Sequence, residues 1–246
     1  MTIRHHLRQH TLAVAVVALS SVALVSCSSA EPHRDINSDR IKPVNIGVSQ
    51  NSLEQKVLAE IYAQALINNG RSASITVFSS TGPTGQVDEL VEQDSDLVIG
   101  CTGDLLAQTD PVTAAELVEQ AEDPANPNDV TINTEVYDAL MASLPAQVTA
   151  TDQSGAQGCA DSAASQLPQN IVPVFTKTVF DGAERGIIGG YTKFITTEIL
   201  DELVDNAKQS GSVSEAVAQW MTESQVSGEV ETGPDNGIGL GYAERH

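Results

Sequence analysis

The chain has 246 residues, 12 basic against 33 acidic, for a formal net charge of −21. That length suits one large domain or two small ones, and 41% hydrophobic residues are enough to build a core. The acidity excludes nucleic acid as a partner, because phosphate binding needs clustered Lys and Arg. Three cysteines in so long a chain exclude a disulfide-stapled miniprotein.

Residues 1–10 carry Arg4 and Arg8 without an acid, and residues 11–25 form an apolar run that closes on Leu24-Val25-Ser26-Cys27. A basic start, an apolar stretch of this length and small residues after it describe a secretory signal. At ~1.5 Å per residue the run falls short of the ~30 Å hydrocarbon core of a bilayer. Its end resembles the bacterial lipobox, which implies cleavage after residue 26 and lipidation of Cys27. The expected location is the extracytoplasmic face of the cell membrane, with the acyl chains as anchor. Residues 27–40 are mostly polar, with Ile36 isolated among them, and read as a flexible tether.

Residues 41–224 read as the folded domain. Val44–Val48 is a short apolar run after Pro43, a buried strand by pattern. Ser49, Gln50 and Asn51 then turn the chain, and Ser52 with Gln55 fits a capping box. Leu53, Val57, Ile61 and Ala65 recur every four residues, and Gly70 closes that helix. Ser74–Phe78 is a second strand, 79–85 a loop of small residues, and Gln86–Gln93 a short helix. Asp96–Gly100 is a third strand, leading to Cys101-Thr102-Gly103-Asp104. Strands alternating with helices predict a parallel α/β sheet whose ligands gather beyond the carboxyl ends of the strands. Ser49, Asn51, Thr102 and Asp104 lie there and are the candidate ligand contacts; capping and turn hydrogen bonds are their other reading.

Further along, 109–118 and Thr134–Leu144 read as helices, with a Pro- and Asn-rich loop between them. Residues 145–168 read as irregular. Ile171–Phe175 is a strand that Pro173 should make an edge or irregular one. Ala183–Ile188 reads as a weak helix and Thr197–Lys208 as a clear one. Ser212 with Glu215 caps a last helix through Trp220, and 225–246 reads as a disordered, Gly-rich acidic tail.

Val44–Leu66 resembles the opening of the glycine betaine/choline-type substrate-binding proteins of ABC transporters. Leu167–Phe175, Ile195–Leu203 and Val213–Trp220 resemble that family's C-terminal part. The resemblance implies the type II periplasmic-binding-protein fold, in which the chain starts one α/β lobe, builds a second and returns to finish the first. The resemblance covers about 41–106 and 167–222 and leaves residues 125–168, mostly irregular, for the second lobe, whereas one βαβ unit alone takes about 30 residues. The expected architecture is therefore one parallel-sheet lobe with the second reduced or missing. The resemblance implies an ABC permease as partner and a small quaternary amine as solute. The alternative is an accessory lipoprotein that has lost solute capture and acts through contacts with another membrane protein.

Quaternary amines are held by aromatic cages, but aromatics are 4% of the chain. Tyr62, Phe78, Phe175 and Trp220 fall on core-facing positions, and no aromatic cluster shows in the sequence. Beyond the signal only His33 and His246 remain, so no Ser-His-Asp base is placed and no zinc ligands cluster. Gly186, Gly189 and Gly190 form no phosphate-cradling loop after a strand. No catalytic residue, metal or cofactor is expected. With Cys27 lipidated, Cys101 and Cys159 are left in an oxidising space, where pairing in a disulfide is expected.

Overall fold

A computed structural model describes residues 42–50, 52–78, 85–120, 130–159 and 166–227, all within the compact unit Ile41–His246. The expectations for the signal, Cys27, the tether, Asn51, most of the 79–85 loop and the tail beyond Ser227 lie outside the described residues. One five-stranded sheet organises the rest. Its strands are β1 (Val44–Ser49), β2 (Ala73–Phe78), β3 (Leu97–Cys101), β4 (Val148–Ala150) and β5 (Ile171–Thr176), in the order β2-β1-β3-β5-β4. β1 pairs in parallel with β2 and β3, whereas β5 runs antiparallel to both β3 and β4. The sheet is thus mixed where a parallel one was expected, with β5 as the reversed strand.

Two helical layers cover it. Helices α1 (Leu53–Asn68), α6 (Gly182–Phe194), α7 (Thr197–Ser210) and α8 (Val213–Ser227) bury one core with Ile46, Leu97, Ile99 and Phe175. Helices α2 (Gln86–Val91), α3 (Thr102–Thr109), α4 (Pro111–Gln120) and α5 (Val130–Ser143) bury the other with Val98, Val172 and Val174. Neighbouring residues of β3 and β5 face opposite cores, which is why these strands read as unbroken apolar runs rather than alternating ones.

Pro173 was expected to mark an edge or irregular strand, and β5 lies inside the sheet. Its carbonyl faces β4, accepting from Thr151 N at 3.4 Å just past the end of that strand. The missing proline N–H would have served the carbonyl of Thr151, and the Tyr137 hydroxyl donates to that oxygen instead, at 2.9 Å. A three-residue neighbour and a tyrosine from α5 make the proline tolerable.

The other departures have local causes. Residues 145–168 contain β4, whose three residues Val-Thr-Ala are too few for a periodic signal. The helix expected over Ala183–Ile188 runs from Gly182 to Phe194. Asp181 and Glu184 cap it reciprocally at 2.9 Å, and Ile188, Tyr191 and Thr192 bury one face despite the glycines within it. Helix α3 begins directly after β3, over residues for which no helix was expected. At α1 only half of the capping box forms: Gln55 N donates to Ser52 Oγ, while the Gln55 side chain turns to Ser49 N. Helix α7 ends at Gly211, whose φ of +74° is the left-handed cap that glycine adopts without strain.

Two buried polar joints tie α6 to the rest. The Tyr62 hydroxyl on α1 meets Thr192 Oγ1 at 2.9 Å, and Thr192 donates to Ile188 O at 2.7 Å. Burial pushes the Tyr62 phenol far above its ordinary range. Arg71 and Glu184, both nearly inaccessible, approach to 3.6 Å.

Candidate functional site

Parallel β1, β2 and β3 all end at Ser49, Phe78 and Cys101 on the same side of the sheet. β4 is parallel to β3 because both oppose β5, so the chain leaves Ala150 and re-enters Ile171 at that same side. The described parts of the connection 151–170 therefore lie against the strand ends.

The contacts of that connection are specific. The first N–H groups of a helix have no partner within it and are the usual donors to a bound anion or carbonyl. In α3 those of Thr102 and Gly103 donate to the carbonyls of Asn170 and Pro168 at 2.9 and 3.0 Å. That of Asp104 donates to the Gln169 side-chain oxygen at 3.1 Å. The Thr102 hydroxyl donates to Pro168 O at 3.0 Å, and the residue is wholly buried. Gly103 is the position that permits this approach. A Cβ there would stand 2.6 Å from that of Leu167 and 2.8 Å from Pro168 O.

The connection is anchored elsewhere along its length. Ser154 Oγ donates to Ile195 O at 2.7 Å, and Gln157 N donates to Thr197 Oγ1 at 3.0 Å. Asn170 Nδ2 reaches back to Ser154 O at 2.9 Å, and Gln169 N donates to Gln157 Oε1 at 2.9 Å. Cys101 and Cys159 are joined by a disulfide with Cα atoms 6.2 Å apart. Cys159 has φ of +52°, uncommon for a residue with a Cβ, and its N–H donates to Glu54 Oε1 at 3.1 Å.

Of the four candidate ligand residues, Thr102 and Asp104 thus meet through the connection, Ser49 N donates to Gln55 Oε1 at 2.9 Å, and Asn51 is outside the described residues. Asp104 also accepts from Gln108 Nε2 at 2.9 Å. A cavity of about 300 Å³ lies nearby between α2, α3 and α5, lined by Gly85, Val87, Asp88, Gln108, Thr109, Ser143 and Pro145. Its polar groups pair internally: Asp88 accepts from Gly85 N at 2.8 Å, and Thr109 meets Ser143 at 2.6 Å.

Two clusters escaped sequence reasoning. Tyr191 and Phe194 on α6 gather with Trp220 of α8, ring centroids 6.4 and 5.9 Å from the indole. This corrects the expectation of no aromatic cluster. The three-residue spacing on α6 was legible, but the arrival of Trp220 depends on how α8 packs. The second is Glu54, Cys101 and Cys159, whose ligand-type atoms lie within 4.8 Å of one another. Cys101 and Cys159 were expected to pair, but Glu54 stands far from both in sequence, so no ligand spacing could signal its approach.

No protein-family model matches the sequence, and no curated protein does. Solved structures do. The crystal structure of a glycine betaine/carnitine/choline ABC transporter protein matches with TM-score 0.54 at 9% identity, covering 74% of this chain and 98% of that one. Apo YehZ from Escherichia coli matches with TM-score 0.51 at 12% identity and the same coverage. A TRAP periplasmic solute binding protein from Bordetella follows at TM-score 0.41 and 12% identity, covering 76% and 95%. The first two likenesses, with TM-scores above 0.5, establish a shared periplasmic-binding-protein fold, here consistent with a single lobe, while identities this low leave the solute class open. No helix among the described residues is long and apolar enough to cross a membrane.

Proposed function

We propose that the protein is an extracytoplasmic, Cys27-lipidated relative of transporter solute-binding proteins that no longer captures solute at its strand ends. It works instead through protein contacts in the cell envelope, as an accessory subunit of a permease or another membrane complex. One observation carries this reading: the first three N–H donors of α3 are taken by Pro168, Gln169 and Asn170 of the same chain. A solute carboxylate would have to displace three hydrogen bonds and a disulfide-tethered segment to reach them. Titration calorimetry with glycine betaine, carnitine and choline tests it. No heat beyond dilution is expected at millimolar solute, and saturable binding in the micromolar range would refute it.

Such binding would restore the second reading, solute capture for a quaternary-amine ABC importer, which the likeness to the betaine/carnitine/choline transporter protein favours. The anchor is tested apart from the solute. Cys27→Ala should abolish incorporation of labelled palmitate and leave a soluble, uncleaved or misprocessed protein, whereas equal labelling of the variant would remove the lipobox argument.

A further inference from the structure

We infer that the dithiol form of this protein binds one thiophilic divalent cation, of the zinc type, through the sulfurs of Cys101 and Cys159 and the carboxylate of Glu54. The three groups come from three separate segments. Glu54 is the second residue of α1, Cys101 is the N-cap of α3, and Cys159 belongs to the connection across the strand ends. Their ligand atoms already lie within 4.8 Å of one another. A tetrahedral zinc with Zn–S of about 2.3 Å and Zn–O of about 2.0–2.2 Å holds its ligand atoms roughly 3.5–4 Å apart. Small side-chain rotations therefore suffice once the sulfurs are released from each other.

The surroundings favour an anionic ligand set. Both α1 and α3 direct their N-terminal ends at it, and a helix N-terminus stabilises thiolate and carboxylate alike. The Glu54 carboxylate is held in place by Cys159 N–H at 3.1 Å. Three protein ligands would leave a fourth position for water, the open arrangement of metal sites that exchange a ligand. Of the two sulfurs, that of Cys159 belongs to the less buried residue, while Cys101 is only 1% exposed.

Disulfide and metal site exclude each other, so the site forms only after reduction by a dithiol. One thiolate of the reductant attacks Cys159 Sγ, the sulfur–sulfur bond breaks and Cys101 leaves as thiolate. The second thiol of the reductant then resolves the mixed disulfide. Two electrons pass from the reductant, which ends as a disulfide, and two protons end on the cysteines. Cation binding displaces those protons.

The test uses the whole mature protein, reduced with a dithiol and freed of it by anaerobic desalting, then titrated with Co²⁺. One equivalent should give the near-ultraviolet thiolate-to-cobalt charge-transfer band and the intense visible bands of a tetrahedral site, both erased by Zn²⁺. The unreduced protein should give neither. Glu54→Gln should keep the sulfur band and weaken the apparent Kd at least tenfold. A reduced, folded protein without the band overturns the inference. So does a reduced protein that has lost its circular dichroism and does not regain it with Zn²⁺. Equal affinity in Glu54→Gln removes the carboxylate from the ligand set.

Discussion

Replacing both cysteines, Cys101→Ala with Cys159→Ala, isolates what the covalent tie contributes. The bond spans a sequence separation of 58 residues. In the chain-entropy model a loop of that length loses about 14 cal/mol/K in the unfolded state, which is about 4 kcal/mol at 25 °C. Native stabilities of about 5–15 kcal/mol mean that the variant still folds. For a domain of this size about 1 kcal/mol moves Tm by roughly 2–4 °C, so a fall of roughly 8–16 °C is expected in calorimetry. The loss should also be uneven. The amides of Thr102, Gly103 and Asp104 are protected by bonds to residues 168–170, and the tie holds Cys159 nearby. Hydrogen exchange at these three should accelerate more than at the amides of β1, which pairs along its whole length with β2, a strand neither substitution touches. A Tm within 2 °C of the parent, or uniform acceleration across the sheet, would refute the view that the disulfide pins this connection.

The Tyr62–Thr192 pair should respond asymmetrically. Thr192→Val strands a buried phenol and should cost about 1–3 kcal/mol, while Tyr62→Phe leaves Thr192 bonded to Ile188 O and should cost less; denaturant melts showing the reverse order would contradict the assigned donors. Tyr62 also makes the protein sensitive to alkali. Burial raises its pKa, so above about pH 10 the unfolded chain loses the phenolic proton while the folded chain keeps it, and stability falls as pH rises. Urea melts at neutral and alkaline pH should show this decline shrinking in Tyr62→Phe; an unchanged decline would assign it to other groups. Tyr137→Phe removes the donor that stands in for the proline N–H at Thr151 O and should cost about 0.5–1.5 kcal/mol. Pro173→Val should recover part of that loss in the Tyr137→Phe background, and no coupling between the two changes would count against the substitution of one donor for the other.

What the sequence determined by itself was the set of elements with strong local signals. The α1 stripe, the capping residues Ser52 and Ser212, and the apolar runs of β1, β3 and β5 each act within a few residues, so pattern alone places them. The same holds for the order of strands and helices that implies an α/β layer. The reversed direction of β5, its interior place despite Pro173, and the short β4 rest on partners far along the chain. Tyr137 and Thr151 supply what a local reading of Pro173 lacks. The site follows the same division. Thr102 and Asp104 were placed at a strand end from sequence, but only tertiary structure decided that their N–H groups face Asn170 and Gln169. The aromatic gathering of Tyr191, Phe194 and Trp220 and the approach of Glu54 to Cys101 and Cys159 were equally out of reach. Such contacts join residues whose separation in sequence bears no relation to distance, because helix packing and one connection across the sheet, rather than any period, bring them together.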